Sequence, residues 1–280
     1  DFDFVFVDEA QDWPEQESTL LKRLYSASKI CLADGISQLI RSGKPTWESR
    51  HEPATIISLK RCLRMKRNLA DFANAFAAQG KIRWEVTPNE IAGGGKVLLL
   101  ERPYENYRSL HEKLLEEAMN KGNKEIDFLF CVPPSDAYVE SNKRVSHLAA
   151  WLKDHGDNVW DGVNESNRRD FPRRTNQFRI LQYASCRGLE GWTVILDKLD
   201  QYWQIEYEKK LQEGLTEDEE RSMKNLDQVA EEYAWTMCMI PITRPIDTLV
   251  ISLSSDNSDF KEKLVKVSEL VDFDVLRLHN

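Results

Sequence analysis

Short apolar runs alternate along this chain with longer stretches in which apolar residues recur every three or four positions. The runs are rich in β-branched and aromatic residues, which predicts buried strands at 4–7, 29–33, 54–59, 97–100, 126–132, 179–183, 193–196 and 248–253. The 3.6-residue rhythm predicts helices over 14–27 (Leu20, Leu21 and Leu24), over 66–78 (Leu69, Phe72, Ala73 and Phe76 on one face), and over 105–120 and 139–155. Residues 204–239 read as mostly helical and highly charged, and 157–176 as a polar loop. Strands that alternate with helices imply parallel sheets and an α/β fold. Gly93-Gly94-Gly95 is a linker candidate; no Lys-Ser/Thr follows it, so it is not a phosphate loop.

Composition narrows the class. With 280 residues and 41% hydrophobic content, the chain can bury one large core or two ordinary ones. No stretch approaches the ~18–20 consecutive apolar residues of a membrane span. The five cysteines are far apart, and none forms a C-x-x-C pair; reduced thiols in the cytoplasm are the expectation. A net charge of −9 argues against a protein that simply coats nucleic acid. Charge is uneven, however. Residues 60–67 (KRCLRMKR) and 168–174 (RRDFPRR) are basic, while 206–232 are strongly acidic. The first residue is not Met and the chain opens on a strand pattern, so it is read as a fragment beginning inside a domain.

The candidate chemistry starts at VDEAQD, residues 7–12, where an apolar run ends in Asp8, Glu9, Gln11 and Asp12. Side chains at a strand end point alternately, so neighbouring carboxylates can serve a metal and a water separately. In open α/β sheets the carboxyl edge is where ligands bind. An Asp12 N-cap ahead of Trp13-Pro14-Glu15 is the plain structural alternative.

Five segments in this order resemble superfamily 1 helicases of the UvrD/Rep kind, over nearly all of the chain: VDEAQD (7–12), LADGISQLI (32–40), LKRCLRMKRNLADFANAF (59–76), QYASCRGLEGWTVIL (182–196) and PITRPIDTLVISL (241–253). The resemblance implies parts of two RecA-like parallel-sheet lobes of a P-loop NTPase helicase core. The first, 1–92, is truncated at its N-terminus; the second, 93–280, carries a helical insert at 197–230. Asp8 and Glu9 then bind Mg²⁺, and Glu9 also acts as base for the water attacking ATP. Gln11 and Gln38 sense the nucleotide, and Arg64 reaches the γ-phosphate. Gly188 lets backbone approach phosphate or ribose, Glu190 accepts a ribose hydroxyl, Arg187 takes the place of the usual lysine, and Arg244 is the arginine finger. The sequence departs from the family at Ala33, Leu63, Ala184 and Pro245, and no aromatic follows Gln38 for base stacking.

The implied activity is ATP-dependent movement on single-stranded or partly duplex DNA, with the acidic insert as a surface for a protein partner. The phosphate-cradling G-x-x-x-x-G-K-[ST] does not occur in these residues. Without it the chain alone is expected to bind ATP weakly and hydrolyse almost none. Two other readings stay open: a catalytically inactive, helicase-like module that binds DNA or a partner, and an acidic Mg²⁺ nuclease, for which a further carboxylate cluster and a lysine are wanting.

Overall fold

The structure, a computed structural model, describes residues 2–10, 13–33, 47, 55, 57, 61–216, 219–220, 225–254 and 258–278. The chain divides into two compact units, Asp1–Lys60 and Arg61–Asn280.

In the smaller unit, β1 (Val5–Val7) pairs in parallel with β2 (Ile30–Leu32), Val5 opposite Ile30 and Val7 opposite Leu32. The connection runs through α1 (Glu15–Leu24). Glu15 and Glu17 sit in its first turn and Lys22 and Arg23 in its last, each sign matched to the helix dipole. The expectation of a buried first strand holds only at Val7; Phe6 is 79% exposed and Phe4 is exposed too. Among the described residues β1 has β2 as its one strand partner, which leaves its other edge without a strand there. The strand expected at 54–59 lies outside the described residues.

The larger unit is built on a seven-stranded sheet, parallel throughout. In chain order its strands are β3 (Lys96–Leu100), β4 (Phe128–Val132), β7 (Val159–Asp161), β8 (Phe178–Gln182), β9 (Gly191–Leu196), β10 (Pro245–Ser252) and β11 (Leu276–Leu278). Across the sheet the order is β11-β3-β10-β9-β4-β8-β7. The central strands are apolar on both faces, as a sheet covered on both sides requires. Val97, Leu99, Leu129, Cys131, Leu249 and Ile251 face one core layer; their neighbours Leu98, Leu100, Phe128, Phe130 and Val250 face the other.

The first layer is closed by α2 (Arg67–Gln79), α6 (Leu199–Glu213), α7 (Leu226–Ile242) and α8 (Ser258–Glu269). The second is closed by α3 (Arg108–Asn120) and α4 (His147–Asp154); a one-turn α5 (Glu165–Arg168) follows β7. Residues 197–230, expected as an acidic insert, start as core: Leu199, Asp200, Tyr202 and Trp203 are buried. The three-glycine segment packs on the start of α2, where Asn68 donates from its backbone to Gly94 O (2.9 Å) and from its side chain to Gly95 O (3.0 Å).

The expected helix 139–155 is corrected in its first half. Residues Ala137–Glu140 (β5) and Lys143–Ser146 (β6) form an antiparallel hairpin. Its turn residues Ser141 and Asn142 both have positive φ, 49° and 63°, the backbone of a tight two-residue hairpin. α4 then starts at His147, with the Ser146 hydroxyl accepting from Ala149 N as N-cap. Part of the expected loop 157–176 is also ordered, as the edge strand β7 and α5.

Candidate functional site

In the smaller unit the loop after β1 is clamped to the end of β2. Ala33 N donates to Val7 O (2.8 Å), Ala10 N to Ala33 O (2.9 Å), and the Trp47 indole to Ala10 O (2.8 Å). Between these anchors the Asp8 carboxylate accepts from Glu9 N at 2.9 Å. Glu9 takes a left-handed φ of 50°. That conformation costs a non-glycine residue roughly 1–2 kcal/mol and is typical of functional turns. Asp8 is exposed, Glu9 half-buried and Ala10 fully buried. The turn thus holds two carboxylates at the carboxyl end of a parallel pair. Among the described residues no group of three or more His, Cys, Asp or Glu could hold a metal. Two hard oxygen donors suit Mg²⁺, which is commonly held by one or two carboxylates plus substrate phosphates and water. Gln11 and Gln38 lie outside the described residues.

In the larger unit the other predicted residues lie on segments at the amino edge of the sheet, the end opposite to the one that general α/β reasoning points to. Arg64, just ahead of α2, pairs its Nε with Glu190 Oε1 at 2.5 Å, both side chains about two-fifths exposed. Glu190 immediately precedes β9, and its carbonyl accepts from Arg179 Nη2 at 2.6 Å. Gly191 N donates to Arg244 O at 3.2 Å, which fixes the start of β9 beside the residue that precedes β10. Gly188 has φ +74° with open space around it, so backbone can be approached closely there. Arg187 beside it is half-buried.

Arg244 is only 3% exposed and its guanidinium turns back onto its own helix. Nε donates to Ile240 O (2.8 Å) and Nη2 to Thr243 Oγ1 (3.0 Å). A cation there satisfies carbonyls left open at the C-terminus of α7 and complements its dipole.

Sequence reasoning passed over a constellation beside this edge. Asp247, buried at the start of β10, receives the Lys66 ammonium in a close ion pair and Lys121 Nζ at 3.1 Å. Both ammoniums also lie over the Trp192 ring, 5.2 and 5.6 Å from its centroid. Burial works to raise the Asp247 pKa, but hydrogen bonds from Lys66, Thr248 and Lys121 outweigh it and hold the carboxyl below the usual range. Lys66 N donates to Ile246 O (3.1 Å), so this cluster ties the Arg64 segment to β10. A carboxylate in an otherwise apolar strand was the available signal.

The carboxyl edge holds a closed polar network. Asp197 Oδ1 accepts from Tyr104 N (2.8 Å) and Ser252 Oγ (2.6 Å), and Asp136 Oδ2 from Ser146 Oγ (2.7 Å). Lys198 Nζ bridges Asp136 (3.1 Å) and Asp197 (3.5 Å). Burial pushes the Asp197 carboxyl above the usual range.

No known protein-family profile and no curated protein sequence matches this chain. Among solved structures, the chain is similar to the C-terminal domain of a possible DNA helicase from Lactobacillus plantarum WCFS1. The two share 12% identity with a TM-score of 0.41, over 76% of this chain and 97% of that one. No helix among the described residues is long and apolar enough to cross a membrane.

Proposed function

We propose that this chain is the C-terminal part of an ATP-dependent translocase acting on single-stranded DNA, its two units, 1–60 and 61–280, belonging to two RecA-like lobes; the division falls near residue 60 in place of the expected 92 because α2 packs into the core of the larger unit. The observation that carries the reading is the amino-edge cluster. Three segments far apart in sequence supply Arg64, the 187–190 turn and Arg244 to one neighbourhood through the Arg64–Glu190 pair and the Gly191–Arg244 bond. Cations and an open glycine turn collected at one edge suit a triphosphate and its ribose.

In this reading Asp8 and Glu9 hold Mg²⁺, which neutralises phosphate charge when bound. Glu9 orients the attacking water and takes its proton. Arg64 leaves Glu190 for a phosphate oxygen, freeing Glu190 to accept a ribose hydroxyl. Arg244 donates to the transferring group once it is drawn off Ile240 O. The partner is DNA, and the phosphate cradle comes from outside these residues.

A second reading, a helicase-like module that binds without turnover, is favoured by one observation: the Arg244 guanidinium is buried and bonded to its own helix.

The test is steady-state ATP hydrolysis by the parent protein, with and without single-stranded DNA. Glu9→Gln is expected to lower DNA-stimulated turnover by ~10²–10⁴-fold, the worth of a general base, while nucleotide binding is kept. Arg244→Lys is expected to lower turnover with ATP binding intact. A wild-type protein with no DNA-stimulated turnover selects the binding module.

A further inference from the structure

The loop between β7 and β8 is unused by the site above. Its RRDFPRR stretch, Arg168 to Arg174, carries four arginines against one aspartate in a chain of net charge −9. The loop is fixed in place: the Trp160 indole donates to Asp170 O (2.9 Å) and Asn167 Nδ2 to Asp161 O (2.9 Å). Phe171 follows the anchored Asp170 directly and precedes Pro172, which restricts its backbone to extended conformations. It is nevertheless 80% exposed. A groove of about 380 Å³ runs beside it, lined in part by Lys153, Trp160, Phe171, Arg173 and Arg174.

The acids at this groove are already committed. Asp170 pairs with Arg173 at 3.2 Å, and the Asp161 carboxylate turns inward to accept from Ser146 N and Val163 N, both at 3.0 Å. Arg168 pairs with Glu165 at 3.5 Å and donates to Ser185 Oγ at 3.0 Å, which links the loop to the segment that leads into Arg187 and Gly188.

A held, solvent-facing aromatic ring among arginines offers a base one stacking face and its phosphates several cations, and a duplex hides its base faces. We infer that the loop at residues 165–174 is a binding site for single-stranded nucleic acid, with Phe171 stacking on a base and Arg173 and Arg174 holding the flanking phosphates. The inference rests on the proposed translocase reading only for the identity of the strand, and its test needs no ATP.

The experiment is equilibrium binding of a fluorescent deoxythymidine 12-mer to the full 280-residue chain, over a range of salt. Phe171→Ala is expected to weaken binding roughly tenfold, within the ~1–3 kcal/mol of one stacked base, and to leave the salt slope unchanged. Arg173→Ala with Arg174→Ala is expected to reduce that slope by about 1.4, two single-strand phosphate contacts. On an oligomer with abasic sites throughout, wild type and Phe171→Ala are expected to bind equally. Circular dichroism checks that the variants fold, which so exposed a ring should not affect.

Wild-type affinity in Phe171→Ala, an equal loss on the abasic strand, or no binding by wild type overturns the inference. If the Phe171 effect is present but the parent protein has no DNA-stimulated ATPase, the translocase reading falls and this site stands. If ATPase is DNA-stimulated while Phe171→Ala binds normally, the reverse holds.

Discussion

Single side chains here show how environment overrides type. His111 is fully buried on α3, with Nδ1 3.2 Å from the Tyr104 hydroxyl and its ring packed against Phe178, Phe130 and Trp151. Burial drives its pKa down to about 4; the facing carboxylate of Asp157 opposes the shift, while Arg108, paired with Asp157 at 2.5 Å, adds to it. A folded pKa below the unfolded one means that the unfolded chain binds the extra proton first. The stability from this site is therefore complete above about 6.5 and lost as pH falls toward 4. An NMR titration of the His111 ring should give a midpoint near 4; a midpoint at 6.5 or above would contradict the burial argument. Asp197 and Asp200, whose pKa values burial raises, act in the opposite sense: their neutral forms favour folding at low pH, and that contribution is lost as pH rises through their folded pKa values. The ring signal, which reports His111 alone, is for that reason the measurement to make. Asp8, Glu9, Arg64 and Arg244 were all legible from the sequence as residue types in a pattern. That Arg64 would meet Glu190 was not, since it depends on which loops the sheet order brings together; nor was the fold-back of Arg244 on Ile240, a local contact four residues away that depends on the rotamer taken at the helix end.

At the scale of elements, the end of α2 is instructive. Gly80 there looks like an ordinary helix-stop glycine, yet its φ is −80°, a value open to any residue. Space is what demands glycine: a Cβ would stand 2.7 Å from Trp235 Cβ and Cγ on α7. Trp235 is fully buried and its ring lies 4.4 Å from that of Phe76. Gly80→Ala should therefore destabilise the protein by ~1–3 kcal/mol, the usual cost of overpacking, seen as a lower denaturation midpoint with unchanged m. Stability equal to wild type would show that the α2–α7 contact yields freely. Helical rhythm alone placed α2 to within a residue at each end, because its apolar face is continuous. The same reasoning failed at 139–155: period-based reading cannot see a two-residue turn at Ser141-Asn142 that reverses the chain.

For the whole molecule, the strand order sets a gradient of protection. Among the described residues β10, β9 and β4 are paired on both sides, while β11 and β7 have one neighbour each. Native-state hydrogen exchange should show the slowest amides in β4, β9 and β10 and faster exchange in β7 and β11; equal protection at edges and centre would argue against this order. The alternation of apolar runs with helical stretches determined by itself that the fold is α/β with a parallel sheet, because buried parallel strands need apolar residues on both faces and crossover helices need one apolar face. The carboxylates ending the first strand and the arginines before α2 and β10 were equally plain from sequence. Tertiary structure alone decided that the arginine-bearing segments gather at the amino edge, that the acidic stretch begins as core, and that Asp247 lies between two lysines. The reason is physical: local pattern fixes which face of an element is apolar, whereas the partners of a polar side chain depend on strand order, set by long-range packing of elements far apart in sequence.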